Sequence, residues 1–204
     1  MVDSLLEKIG SHAGEFLCET RSSEPDTKQV RFCHKIEPPK ESIDLPKVDG
    51  IHEFYSKIGS LTLYYCSESD EAACYLAHPV EWESLEEGIA DWVYLLDEDE
   101  EEEILPTWFE SHKVIGEIPG SGNYILLVTS GDESGSLFLF DHDGFEFTKV
   151  GATIEEFVLN TLDPDPEAFA ELITYMCFMS GSSSQQWWAR ELHHNSGKIV
   201  RNSV

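Results

Sequence analysis

Between Val114 and Gly144 the chain reads VIGEIPGSGNYILLVTSGDESGSLFLFDHDG, three apolar runs of strand length separated by glycine-rich punctuation. No other stretch restricts the fold as much. Residues 114–118, 124–129 and 137–140 are rich in β-branched and aromatic side chains, and the Pro-Gly-Ser-Gly, Ser-Gly-Asp-Glu-Ser-Gly and Asp-His-Asp-Gly segments supply the turn chemistry. A fourth strand is predicted at 145–148, where Phe-Glu-Phe-Thr alternates behind the hairpin pair Asp143-Gly144. Strands joined by such short loops must be antiparallel, since a parallel return needs a crossover of about a dozen residues. The stretch is expected at the centre of a sheet, with Ile115, Tyr124, Leu126, Phe138, Phe140 and Phe157 in one core with Phe54 and Trp92.

Helices are predicted on both sides of it. Ser4-x-x-Glu7 is a capping box, and Leu5, Leu6, Ile9, Ala13, Phe16 and Leu17 at helical spacing predict a first helix to about Cys18, weakened by Gly10 and Gly14. Residues 19–48, with Pro38, Pro39 and Pro46, read as an irregular connection holding one short strand at 29–33. Asp49 then caps a short helix whose face is Ile51, Phe54, Tyr55 and Ile58, stopped by Gly59. Strands follow at 61–65 and 74–77, and Ser84-x-x-Glu87 opens a helix with Ile89, Trp92, Val93 and Leu96 on its apolar face. Thr153-x-x-Glu156 caps another helix, with Ile154, Phe157, Val158 and Leu162 on one face. Asp165 and Pro166 start the next, whose face runs through Phe169, Leu172, Ile173, Met176 and Met179 to a break at residues 181–184. A last short helix is predicted at 185–194, ended by Gly197 before a loose tail.

Composition narrows the function. The 204 residues, 41% hydrophobic, suffice for one domain with a real core, and two would be cramped. Thirteen basic residues against 40 acidic ones give a net charge of −27, a field that repels nucleic acid and anionic membranes and favours a basic partner. Five scattered cysteines without a C-x-x-C pair indicate neither a disulfide framework nor a zinc site. No apolar run approaches the roughly 20 residues that span a bilayer, and an acidic start is unlike a signal peptide, so a cytoplasmic location is expected.

Several of these landmarks recur together in a known family. Phe54-Tyr-x-x-Ile-Gly59 before a strand, Leu105-Pro-x-Trp108 leading into Val114-Ile-Gly116, Gly120-Ser-Gly122-Asn-Tyr-Ile, the strand into Asp141-His-Asp143-Gly, and Glu155-Glu-Phe157 in a capped helix resemble the SUKH superfamily. That family includes yeast cell-wall regulators of the SMI/KNR type and bacterial immunity proteins of polymorphic toxin systems. The resemblance covers roughly residues 44–162. It implies an α+β fold, a twisted and mainly antiparallel sheet packed against helices; residues 1–43, an N-terminal helix and irregular segment, the acid run at 97–103, and 163–204, a helical extension, are additions to that core within a single domain. It implies binding as the function: an immunity protein that neutralises a nuclease or deaminase toxin by sitting on it, or alternatively a regulatory scaffold.

The chemistry legible in the residues is sparse. Gly120-Ser-Gly122 lacks the spacing of a nucleophile elbow, and no phosphate-binding loop motif occurs, so neither catalytic residues nor a cofactor are expected. Asp141-His142-Asp143 is open to a weaker reading as a hydrolase or metal site, against the turn that its Asp and Gly content predicts. Glu191-x-His193-His194 does not match the H-E-x-x-H arrangement and reads as a solvated helix end. Partner-binding candidates are the acid run Asp97, Glu98, Asp99, Glu100, Glu101, Glu102 and Glu103, expected as a solvated loop that imitates a phosphate backbone, and the acids Glu68, Asp70 and Glu71. Trp187 and Trp188, about 100° apart on the expected helix, either both close the bottom of the core or leave one ring partly exposed as an aromatic anchor for a partner.

Overall fold

A computed structural model describes residues 2–40, 44–174, 176–179 and 184–202, the side chain of Glu98 excepted. Helix α1 (Val2–Ser11) leads into strands β1 (Gly14–Glu19) and β2 (Thr27–Glu37), and α2 (Ile51–Tyr55) into β3 (Ser60–Tyr65) and β4 (Cys74–Leu76). Helices α3 (Trp82–Val93) and α4 (Glu98–Ile104) precede β5 (His112–Ile118), β6 (Asn123–Val128), β7 (Leu137–Asp141) and β8 (Glu146–Gly151). Then come α5 (Ile154–Leu162), α6 (Pro166–Ile173), β9 (Cys177–Met179), β10 (Gln186–His194) and β11 (Ile199–Arg201). All pairings between these strands are antiparallel. The fold is α+β, one sheet in the order β11-β10-β1-β2-β3-β4-β5-β6-β7-β8, with β9 also paired to β10.

The four strands expected from the 114–148 stretch are present in the expected antiparallel succession. They form one flank of the sheet rather than its centre, because β1, β2, β10 and β11 extend it on the other side. One of the expected helices, at 185–194, and the ends of two others, at 14–18 and 177–179, are strands. The first helix stops at Ser11, and Phe16 and Cys18 alternate into the core on β1. Gly14 makes this possible, since a Cβ there would stand 2.0 Å from the His193 carbonyl oxygen of β10. Residues 186–194 run as β10 along the whole of β1, so the sheet partner overrides weak helical spacing. The expected loose tail is likewise β11, reached through Gly197 in a left-handed conformation at φ +86°. The short strand expected at 29–33 is the longer β2. Apart from Ser184, the break expected at 181–184 lies outside the described residues.

Helix ends follow local chemistry with small displacements. Gly50 rather than Asp49 precedes α2, and α3 begins at Trp82, two residues before the expected Ser84, behind a 3-10 turn capped by His78. Thr153 and Asp165 cap α5 and α6 as their spacing predicts. The turn from β7 to β8 places Phe145, not Gly144, in the left-handed region at φ +49°, and its ring lies edge-on to Phe140 at 5.7 Å.

The single expected core is two. Val114, Leu126 and Phe140 pack with Ile89 of α3, with Trp92, Trp108, Tyr124 and Phe147 against them. Ile115, Ile125 and Leu127 face the other way, into the larger cluster with Phe54 of α2 and Phe157 of α5. Alternation along a strand requires this division once both faces of a sheet are covered. Phe157 ties α5 to β8 where the chain turns closest, since a Cβ on Gly151 would lie 2.8 Å from the Phe157 nitrogen. Phe157→Ala is expected to cost about 3–5 kcal/mol in urea denaturation. A change within about 0.5 kcal/mol, the size of an ordinary surface effect, would show that α5 does not hold the sheet.

Candidate functional site

The acid run is ordered rather than looped. Asp97 caps α4 by accepting from the Asp99 and Glu100 amides at 3.1 and 3.0 Å, and Glu100 accepts from the Asp97 amide at 3.0 Å. Glutamate propensity and acids placed against the positive end of the helix offset the repulsion among them. Leu105 and Pro106 terminate it. Asp97, Asp99, Glu100, Glu101, Glu102 and Glu103 are exposed.

Just before this helix lies a feature that the sequence reading passed over. Tyr94 is 88% exposed and Leu95 66% exposed, at the end of α3. On α3 itself Glu83, Glu87 and Asp91 are exposed at i, i+4 and i+8, so one helical face carries carboxylates up to Tyr94. Two large apolar side chains are thus bracketed by acids along the chain. Their signal was available: they fall outside the apolar stripe Leu85, Ile89, Trp92 that packs α3 on the sheet.

The other expected anchors are placed differently. Trp187 and Trp188 sit on β10, so adjacent residues face opposite sides of the sheet and neither is exposed. Trp187 packs against the larger core, and the Arg21 guanidinium lies 3.5 Å from the Trp188 ring centroid. Glu68, Asp70 and Glu71 lie in the turn between β3 and β4, apart in sequence from α4. There Glu68 pairs with Lys28 at 3.5 Å, and Tyr65 donates its hydroxyl to Asp70 at 2.7 Å. Burial, and then Asp70, hold the Glu71 carboxyl above its ordinary range.

Asp141, His142 and Asp143 can bring one ligand atom each within 4.8 Å of one another. The turn itself engages these groups. Asn123 Oδ1 accepts from the His142 backbone amide at 3.2 Å and from Nδ1 at 2.7 Å, which leaves Nε2 beside Asp143 Oδ1 at 3.2 Å. Asp141 Oδ1 accepts from the Asp143 amide at 3.1 Å, and Trp92 stacks on the imidazole with centroids 4.4 Å apart. The ring is held through Nδ1 and on one face, an arrangement that orders a hairpin end.

A second group was invisible in the sequence. His34, His12 and His194, from β2, the end of α1 and β10, form a chain in which His34 Nε2 lies 2.7 Å from His12 Nδ1 and His12 Nε2 lies 2.7 Å from His194 Nδ1. The expected solvated end at His194 is instead a buried strand residue. Burial, with the like influence of His194, pushes His12 down to about 4, and burial, with His12, pushes His34 down to about 3. Burial lowers His194 as well. All three imidazoles are neutral at pH 7.

No protein-family model, curated protein or solved structure matches the chain. Among the described residues no helix is long and apolar enough to cross a membrane.

Proposed function

We propose that this protein is a non-enzymatic, cytoplasmic binding module for a basic protein, and that Tyr94, Leu95 and the carboxylates of α3 and α4 are the face it presents. The exposure of Tyr94 and Leu95 between two acidic segments carries the reading. Interfaces concentrate their energy in a few large anchors surrounded by groups that exclude water, and charge around the rim sets partner choice and encounter rate. Here every charged residue of α3 and α4 is acidic, so the complementary surface is cationic around an apolar pocket. Such a surface is what an enzyme acting on nucleic acid presents to its substrate, and the resemblance of residues 44–162 to the SUKH superfamily favours a nuclease or deaminase toxin held inactive by occlusion. The chain then works as an immunity protein.

The test begins with the partner that copurifies with tagged protein from its own organism. A basic enzyme that acts on nucleic acid and is inhibited stoichiometrically is expected. Tyr94→Ala with Leu95→Ala should weaken that complex about 30-fold or more, the effect of a hot spot worth about 2 kcal/mol. Replacing Asp97, Asp99, Glu101 and Glu102 by their amides should slow association much more than it speeds dissociation, and added salt should mimic the change. An acidic partner, or a basic one bound equally well by both variants, would reject this face.

A further inference from the structure

The direction of the histidine chain is fixed at one end. The Tyr64 backbone amide donates to His34 Nδ1 at 3.1 Å, so a neutral His34 carries its proton on Nε2 and donates to His12 Nδ1. His12 must then donate from Nε2 to His194 Nδ1, and His194 is left with its proton on Nε2. That last donor is buried and, among the described residues, without a partner, in a residue only 8% exposed. The chain therefore delivers one directed N–H and no lone pair.

His12 and His194 line a cleft of about 590 Å³ between the C-terminal ends of α1 and α5 and the turn joining β10 to β11. Lys8, Ser11, Asn195, Ser196 and Lys198 line it too, with Asp163 as its carboxylate, and Lys198 donates to Asp163. Two lysines against one carboxylate make this lining cationic in a protein of net charge −27. Four of the helix-end carbonyls that would repel an anion are occupied. Lys8 O accepts from the His12 amide at 2.9 Å, Ser11 O from Asn195 Nδ2 at 2.7 Å, and Thr161 O and Leu162 O from the Tyr64 hydroxyl at 2.8 and 3.2 Å.

We propose that this cleft binds a small anion through carboxylate or phosphate oxygen, which accepts the His194 Nε2 proton while Lys8 and Lys198 supply the countercharge. A buried donor left unpaired is costly, and an oxyanion satisfies it with a charge-assisted bond. A metal ion fits poorly. Nitrogens sharing a tetrahedral zinc stand about 3.3 Å apart, given bonds of about 2.05 Å, and converge from one nitrogen of each ring. Here the separations are 2.7 Å, and His12 is engaged through both of its nitrogens.

Long-range proton–nitrogen NMR of the full chain's imidazoles tests this, with sodium acetate and inorganic phosphate titrated separately and sodium chloride as the control. All three rings are expected as Nε2–H tautomers, with a saturable shift at His194 that chloride does not reproduce. Lys8→Gln with Lys198→Gln should weaken the response about tenfold, the scale of one charge-assisted bond. Whichever of acetate and phosphate saturates at the lower concentration identifies the ligand class. An Nδ1–H tautomer at His194, no saturable shift with either anion, or zinc displacing the protons of all three rings would overturn the assignment.

Discussion

Acidification from about pH 7.5 to about pH 5 is expected to cost this fold about 2 kcal/mol, before most carboxylates begin to titrate. The cause is the buried histidine chain. In the unfolded chain each imidazole takes up a proton near 6.5, whereas in the folded protein His12 does so only at about 4 and His34 only at about 3. The unfolded state thus binds more protons throughout this window, so stability rises with pH, is fully present above about 6.5 and is lost as the pH falls. At pH 5 the two histidines together would account for about 4 kcal/mol, and halving this for their partial solvent exposure leaves about 2.

The groups around the chain do not reverse the sign. Asp163 favours the charged form of His12 and His194, and Lys198 opposes it at His194, while Tyr64 and Phe32 pack about the rings without charge in this range. Glu71, Glu117 and Glu171, which burial raises, act in the opposite sense, as does relief of the overall negative charge. Because these carboxyls are raised, they take up protons nearer this window than the other acids do, and they offset part of the loss. Urea unfolding at several pH values, with the imidazoles followed by NMR, measures the effect. A midpoint that is constant or rises from pH 7.5 to 5 would show that the histidines are not held neutral by the fold.

Tyr64→Ala is expected to cost about 5 kcal/mol or more, the largest effect of any single truncation proposed for this protein. Tyr64 is fully buried and touches Phe16, Phe32, His12 and His34, with its ring centroid 4.8 Å from that of Phe32. Losing such a ring from a core costs about 3–5 kcal/mol. Its hydroxyl also closes the end of α5 by donating to Thr161 O and Leu162 O, and leaving those carbonyls unpaired adds about 1–3 kcal/mol. Tyr64→Phe isolates that second part and should cost about 1–2 kcal/mol, because the ring stays. The residue also sits at φ +56°, a conformation uncommon for a side chain of this size. Thermal and urea unfolding of both variants decide the matter. Equal losses in the two would mean that the hydroxyl, not the ring, anchors the site, and no loss in Tyr64→Phe would remove the link to α5.

What the sequence determined by itself was local. Glycine punctuation and alternation placed β5 to β8, and Thr153, Asp165 and Pro166 placed α5 and α6, because turn and cap chemistry acts within a few residues of where it is encoded. The acid run was legible as exposed but not as helical, since its cap, Asp97 with Glu100, was hidden inside the run of charges. Tertiary structure decided the rest. Residues 14–19 and 186–194 are strands because each is the other's partner across more than 160 residues of chain, and a long-range pairing leaves no period in either segment alone. The same pairing carries His194 to His12 and His34, three histidines spread over 182 positions that no spacing rule would group. Their neutrality and their proton order follow from burial and from one backbone amide, that of Tyr64, and these, like the cleft that His12 and His194 line, exist only once the sheet is assembled.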